Sequence, residues 1–266
     1  MRLLFLAAAL LCLVAAPALS ADALSEARRL YNQGQLDAAE RAALEAAKVP
    51  TMADAARLVL GRIQLERYRR SAATADLDAA ITALRSIDAR RLDAGDKAEL
   101  AIGLGEALYL DEHYGAAAAL FESVLDSAAE VQQPGYDRVL DWWATAVDRQ
   151  AQARAPLDRA ELYARIISRM KKEIAGAPGS PIAGYWLVAA ARAVGDPDEA
   201  MNEALASWVR ASLGSDRGVA LRADLDRLVT QGILPDRAAR LPARERSQGL
   251  ATMTADWEAF KTRWTR

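Results

Sequence analysis

The sequence contains few of the residues on which most enzyme active sites depend. Its 266 residues include one cysteine, Cys12, and one histidine, His113. A histidine-based triad or a metal site would need several histidines together. Carboxylate pairs such as Asp224 with Asp226 lack the apolar setting that tunes an acid and a base apart. We therefore predict a protein that is not an enzyme and that uses no metal or cofactor.

Glycine, proline and net charge are also low. Fifteen glycines and nine prolines are too few for a disordered or fibrous chain. Hydrophobic residues make up 52% of the sequence, which is enough for a substantial core. The formal charge of −2 gives no reason to expect nucleic acid or a strongly anionic membrane as a partner.

Long apolar runs are absent after the first twenty residues. A positive start is followed by an apolar run over residues 3–16 and by a small-x-small motif that ends at Ser20. This order is typical of a secretory signal peptide. The run breaks at Pro17 and is shorter than the roughly 20 residues of a membrane-spanning helix, so a permanent anchor is the weaker alternative. We predict a signal peptide at residues 1–20, cleaved near Ser20, and a periplasmic or secreted protein without a transmembrane segment after cleavage.

The only cysteine lies inside this apolar run. A lipoprotein leader places a small residue before its modified cysteine, whereas Leu11 precedes Cys12, so we expect no lipid anchor. The predicted mature chain has no thiol and therefore no disulfide. Packing alone must stabilise its fold.

After the leader, one spacing pattern occurs five times. A bulky or turn residue is followed by small or apolar residues at offsets of three, seven and ten, which mark one face of an α-helix. The five sets are Leu36, Ala39, Ala43, Ala46; Leu77, Ala80, Leu84, Ile87; Tyr114, Ala117, Phe121, Val124; Leu157, Ala160, Ala164, Ile167; and Pro197, Ala200, Ala204, Ser207. Their recurrence at intervals of 41, 37, 43 and 40 residues predicts an all-α solenoid of repeated helix pairs.

The clearest unit resembles a tetratricopeptide repeat. Ala27, Gly34 and Ala39 stand where that family has a small residue on the first helix, a glycine at the turn and a small residue on the second helix. Two further units match through Gly105, Tyr114, Ala117 and Phe121, and through Gly195, Pro197 and Ala200. The resemblance implies an α-solenoid of antiparallel helix pairs, about five of them over residues 21–213.

The second and fourth units fit the family less well. Ala75 and Ala155 stand where the turn glycine is expected, and the repeat intervals exceed the usual 34 residues. Several helix boundaries are nevertheless predictable. We expect N-caps and first-turn prolines at Thr51, Asp93, Ser180, Pro156, Pro181 and Pro197.

Residues 214–266 are predicted to form C-terminal capping helices. One helix is expected over residues 219–231 and another over residues 251–265, where Trp257, Phe260 and Trp264 form an apolar stripe. A solenoid end needs such a cover. Residues 235–248 between the two helices read as an arginine-rich loop, either a solvated linker or a contact for an acidic partner.

The resemblance also implies a binding surface. In tetratricopeptide proteins the first helix of each pair lines a concave groove, at positions just after the small packing residue and about one turn further on. Transferred residue by residue, those positions are Arg28, Tyr31, Asn32, Glu106, Tyr109, Tyr185 and Arg192. The resemblance thus favours a non-catalytic scaffold or adaptor for a protein or peptide partner. A plain solvated helix face is the alternative interpretation of the same residues.

A second functional hypothesis comes from the six tryptophans, all in the second half of the chain. An enclosed pocket lined by Trp142 or Trp143 together with Trp186 would suit a helical solute-binding component of an envelope transport system, and a small-molecule ligand is then possible. Trp142 and Trp143 are neighbours and face different directions on a helix. We therefore expect one of them in the core and the other in a groove.

Overall fold

The computed structural model of the protein describes residues 15–127, 135–214 and 216–265, with side chains from residue 23 onward. Within these ranges all regular structure is helical and there is no strand, so the chain is all-α as predicted. It divides into two compact units, Met1–Trp143 and Ala144–Arg266. The predicted signal peptide lies outside the residues with described side chains and stays a prediction. No helix in the described ranges combines the length and apolar character needed to cross a membrane.

The first unit is built from consecutive helix pairs. Its helices are α1 (Ala15–Asn32), α2 (Leu36–Ala47), α3 (Ala53–Ser71), α4 (Thr74–Arg85), α5 (Ala94–Leu110), α6 (Tyr114–Asp126) and the first part of α7 (Gly135–Gln152), with a 3₁₀ turn at Ala89–Arg91. α1 packs on α2, α3 on α4, and α5 on α6. α3 also contacts both α1 and α5. The first helices of successive pairs are therefore neighbours.

The second unit continues with helices α8 (Pro156–Gly176), α9 (Pro181–Ala193), α10 (Pro197–Arg210), α11 (Val219–Leu228), α12 (Leu234–Ala239) and α13 (Arg246–Trp264). A 3₁₀ turn occupies Ala211–Leu213 and a π-helical turn occupies Val229–Ile233. α9 packs against both α8 and α10, and α10 contacts α11, α12 and α13.

Four of the turns between paired helices share one backbone geometry. A residue with left-handed φ stands two positions before the second helix of the pair: Gly34 (φ 73°), Ala72 (φ 55°), Glu112 (φ 62°) and Gly195 (φ 85°). After three of them, the next residue donates its backbone N–H to a carbonyl five residues back, from Gln35 to Leu30, from His113 to Leu108 and from Asp196 to Ala191. This is the Schellman ending of an α-helix. The same left-handed turn geometry therefore recurs even at the turns that lack glycine, those at Ala72 and Glu112.

Exchanging residues at these turns should move stability in opposite directions. Ala72→Gly is expected to stabilise the protein by about 0.5–1 kcal/mol. Glycine removes the left-handed strain of ~1–2 kcal/mol, and its greater conformational freedom in the unfolded chain cancels part of that gain. Gly34→Ala should destabilise by about 1 kcal/mol, because alanine is strained at the left-handed φ of 73°. No clash adds to this strain, since the added methyl group would meet only Arg70 at 3.8 Å. Urea denaturation of both variants tests the equivalence of the two turns. A loss of stability in Ala72→Gly would contradict it.

Most residues of four predicted faces are buried in the second helices of their pairs, whereas Tyr114 is only partly buried and Ile87, also partly buried, lies beyond the end of α4. In α2 the buried residues are Leu36, Ala39, Ala43 and Ala46, and in α10 they include Pro197, Ala200, Ala204 and Ser207. Leu77, Ala80 and Leu84 of α4 and Ala117, Phe121 and Val124 of α6 are buried as well. Close packing explains the glycine in the third unit, because a methyl group at Gly105 would lie 2.7 Å from the Phe121 ring.

The fourth predicted face was wrong. Leu157 is 86% exposed, and Ala160 and Ala164 are exposed too. α8 instead buries Tyr163, Ile166 and Met170. These residues also follow helical spacing, and burying them removes more apolar area from water than burying a face rich in alanine. Periodicity identified the helix, and side-chain size decided which face turned inward.

Most predicted helix starts were right. Asp93 and Ser180 accept the backbone N–H of Asp96 and Ala183 as N-caps, and Pro156, Pro181 and Pro197 occupy first turns. The prediction for Thr51 was wrong, because α3 begins at Ala53 and has no side-chain cap.

One predicted turn position also shifts. The turn of the second pair lies at Ala72, and Ala75 belongs to α4. Its left-handed residue lacks the glycine by which such turns are recognised in a sequence. Only two residues separate the helices of this pair, because α3 continues to Ser71 and α4 begins at Thr74.

The predicted arginine-rich loop is mostly helical. α11 runs through the π turn directly into α12, and only residues 240–245 separate α12 from α13. Pro235 has no N–H for the carbonyl four residues earlier, which suits a local widening of the helix. Arg237 and Arg240 both pair with Asp198, at 2.8 and 3.6 Å. These arginines join the segment to α10.

α13 packs on the rest of the second unit through Trp257, which is 1% exposed. Its ring meets Trp208 edge-on at 5.1 Å and stacks on Phe260 at 5.7 Å. Trp257 Nε1 and Lys261 Nζ both donate to Asp226 Oδ1, at 2.8 and 2.7 Å. Burial alone would raise the pKa of Asp226, but these two hydrogen bonds and the ammonium charge lower it below its ordinary value.

This lowered pKa sets an acid dependence for the attachment of α13. Stabilisation by Asp226 is complete above its unfolded-state pKa, near 3.9, and is lost as pH falls through the folded-state pKa. Asp226→Asn should cost about 1 kcal/mol at neutral pH, a modest value because the carboxylate is 39% exposed. The difference between variant and wild type should shrink below about pH 4. Thermal melts over a pH series measure it, and a difference that persists in acid would contradict the role of the charge.

Candidate functional site

A groove of about 460 Å³ opens in the first unit, along the first helices of its three pairs and the first part of α7. α1, α3, α5 and α7 all contribute to its lining. The charged residues are Arg28, Arg62, Asp93, Asp96, Glu99 and Arg138, and the apolar ones include Ile102, Val139 and Trp142. Three arginines and three carboxylates make the lining neutral overall.

Arg28 on α1 is fixed by a carboxylate from α5. Its Nη2 donates to both oxygens of Asp96, at 2.6 and 2.8 Å. Asp96 is 8% exposed, and burial raises the pKa of its carboxyl above the ordinary value while the Arg28 guanidinium offsets only part of that shift. The Arg28 side chain remains 42% exposed. It is therefore held in place and still accessible from the groove.

Arg62 on α3 is held between α1 and α5. It donates to Glu99 at 2.7 Å, and its guanidinium lies over the Tyr31 ring at 4.8 Å from the centroid. Stacking and charge pairing together restrict a side chain that would otherwise be mobile. Asn32, next to Tyr31, is exposed.

A buried carboxylate lies further along α5. Glu106 is 8% exposed and pairs with Arg69 of α3 at 2.9 Å. Burial raises the pKa of Glu106, and the charges of Arg69, Arg62 and Arg138 act against that rise. The Arg69 guanidinium also lies 5.6 Å from the Trp142 ring centroid. The carboxylate thus anchors the arginine that covers the tryptophan.

Trp142 and Trp143 separate as expected. Trp143 is fully buried, whereas Trp142 is partly exposed, lines the groove and packs on Phe121 at 5.8 Å between ring centroids. Tyr109 contacts Tyr114 edge-on at 5.3 Å. The groove therefore combines fixed charges with an accessible aromatic surface.

The predicted binding residues fall into two places. Arg28, Tyr31 and Glu106 belong to the network along the groove of the first unit, and Tyr109 and Asn32 lie on the same helices outside its lining. Tyr185 and Arg192 line a different cavity in the second unit.

Sequence reasoning missed Arg69. Tyr31, Arg69, Tyr109 and Arg192 each stand three residues before the left-handed residue of a turn. Three of these four positions were predicted. The fourth was overlooked because the second turn was placed at Ala75 instead of Ala72. Arg62 directly follows Gly61 as Tyr185 follows Gly184, which is the pattern that could have identified it.

Within the described ranges no group of three or more histidine, cysteine, aspartate or glutamate side chains could hold a metal ion. The chain matches no protein-family model, no curated protein and no solved structure.

Proposed function

We propose that the protein is an exported, non-catalytic adaptor of tetratricopeptide type, a solenoid of antiparallel helix pairs that binds a protein or peptide segment in its groove. The main support for this proposal is that α1, α3, α5 and α7 present fixed polar groups and Trp142 to one groove. Such an arrangement suits an extended or helical segment that needs several anchors along its length.

The charge pattern suggests how a segment would be held. Arg28 and Arg62 already have carboxylate partners, so a ligand carboxylate would share an arginine whose position is set. Arg138 is exposed and makes no hydrogen bond or close ion pair within the described part of the chain, although its charge acts on the buried Glu106. We expect Arg138 to contact an acidic or carbonyl group of the partner and Trp142 to contact an apolar side chain beside it.

Site-specific photo-crosslinking tests this proposal. A photoreactive residue in place of Arg138 should give a discrete adduct with an envelope protein. The replacement should not disturb the core, because the Arg138 side chain is exposed. The matched control is Asp78, an exposed residue on α4, a second helix. Adducts from Asp78 alone, or equal adducts from both positions, would contradict groove binding.

Export has its own test. If the leader is a signal peptide, mature protein recovered from the envelope fraction should begin at Ala21 or within a few residues of it. Mass spectrometry of the intact protein gives the answer. A soluble protein that retains Met1 would count against export and leave the groove proposal standing.

A further inference from the structure

A cavity of about 430 Å³ in the second unit lies between α9 and the turn that follows α11. Its lining includes Tyr185 and Arg192 from α9, Arg227 and Leu228 from α11, and Gln231 and Gly232 from the π turn. This volume is within the range of small-molecule sites. The cavity is separate from the groove described above, and the inference drawn from it does not depend on the adaptor proposal.

Arg192 is held in this cavity from two sides. Its Nε donates to Oδ2 of Asp236 on α12 at 2.7 Å. Its guanidinium lies against the backbone at Gly232, where an added methyl group would be 2.7 Å from Cζ and 2.9 Å from Nη1. The side chain is still 38% exposed. Arg192 is thus pre-positioned and not buried as a structural ion pair.

The two terminal nitrogens of Arg192 remain available. Among the described residues only Nε has a hydrogen bond. A guanidinium fork of this kind binds carboxylate or phosphate oxygens with defined geometry. Because Asp236 and Gly232 already restrict the side chain, little conformational entropy is lost when a ligand binds.

The local backbone serves this placement. Gly232 lies within the π turn Val229–Ile233, where the N–H of Leu234 bonds to the carbonyl of Val229. Such turns interrupt a regular helix and frequently occur at functional sites. The turn brings Gly232 under the guanidinium and places Asp236 beside Nε.

We propose that this cavity binds a small ligand through an oxyanion, a carboxylate or a phosphate, held by the terminal nitrogens of Arg192. Tyr185 and Leu228 supply an apolar wall for the rest of the ligand. Arg227 and Asp224 form a 3.7 Å pair at the same cavity and largely cancel one another. A ligand with one oxyanion and an apolar body matches this combination best.

Three probes with the same phenyl body test the proposal: phenylacetate, phenyl phosphate and the neutral 2-phenylethanol. Saturation-transfer NMR with the full-length protein detects weak binding of such fragments. We expect one or both anions to bind and the alcohol to bind at least about tenfold more weakly, the loss typical of a charge-assisted hydrogen bond. Preference between the two anions identifies the natural oxyanion as carboxylate or phosphate.

Two variants locate the site. Gly232→Ala displaces the guanidinium while keeping every charge, and should weaken anion binding by about tenfold. The matched control is Gly176→Ala at the end of α8, where an added methyl group meets nothing within 4 Å. Arg192→Lys keeps the positive charge but lacks the planar guanidinium. It replaces Gly232→Ala as the test variant if Gly232→Ala does not fold. Failure of both anions to bind, equal binding of the alcohol, or unchanged binding in the folded Arg192 and Gly232 variants would overturn the proposal.

Discussion

Trp257→Ala should cost about 3–5 kcal/mol of unfolding free energy, the usual range for deleting a buried large aromatic side chain. Trp257 is 1% exposed and lies in a core cluster with Trp208, Leu225 and Val229. The substitution also removes the indole N–H from Asp226. Because domains are stable by only about 5–15 kcal/mol, this variant should melt at a clearly lower temperature.

Trp264 provides the matched control in the same helix. It is 46% exposed and contacts Phe260 at 6.2 Å between ring centroids. Trp264→Ala should therefore cost about 1 kcal/mol or less. Denaturation of the two variants under identical conditions gives the comparison. Equal losses would contradict the conclusion that α13 is attached through Trp257.

Ile166→Ala should be the second large effect, a loss of about 2–5 kcal/mol. Ile166 is fully buried on the face of α8 that the structure turns inward, and α8 packs on α9. The matched control is Leu157→Ala in the same helix, which removes an apolar side chain that is 86% exposed. That change should stay within about 0.5 kcal/mol.

Urea denaturation followed by tryptophan fluorescence measures both variants. Comparing the two losses of stability shows which face of α8 is buried. The repeat pattern predicted the face with Leu157, whereas the structure buries the face with Ile166. A larger loss for Leu157→Ala than for Ile166→Ala would restore the original assignment.

Much of the helical fold could be predicted from local sequence features. The spacing of Leu36, Ala39, Ala43 and Ala46 predicts the buried face of α2, because few large residues compete for the interior on that helix. α8 offers a second apolar face, so periodicity alone could not choose between them. The π turn before Pro235 depends on tertiary packing and has no sequence pattern that distinguishes it from an ordinary helix end.

The groove was partly predictable for a similar reason. A fixed distance from the turn identifies Tyr31 and Tyr109, but Arg69 is found only when Ala72 is recognised as a left-handed residue. The pair Arg28–Asp96 joins residues 68 positions apart. Pairs of this kind arise when successive helix pairs stack, and no local pattern specifies them.

Hydrogen exchange tests whether α1, α3, α5 and α7 form the binding surface. Exchange is measured by mass spectrometry on the full-length protein, alone and saturated with the partner captured through Arg138. Groove binding predicts added protection in peptides from α1, α3, α5 and α7 and little change in α2, α4 and α6. Protection confined to those second helices, or to α13, would contradict it.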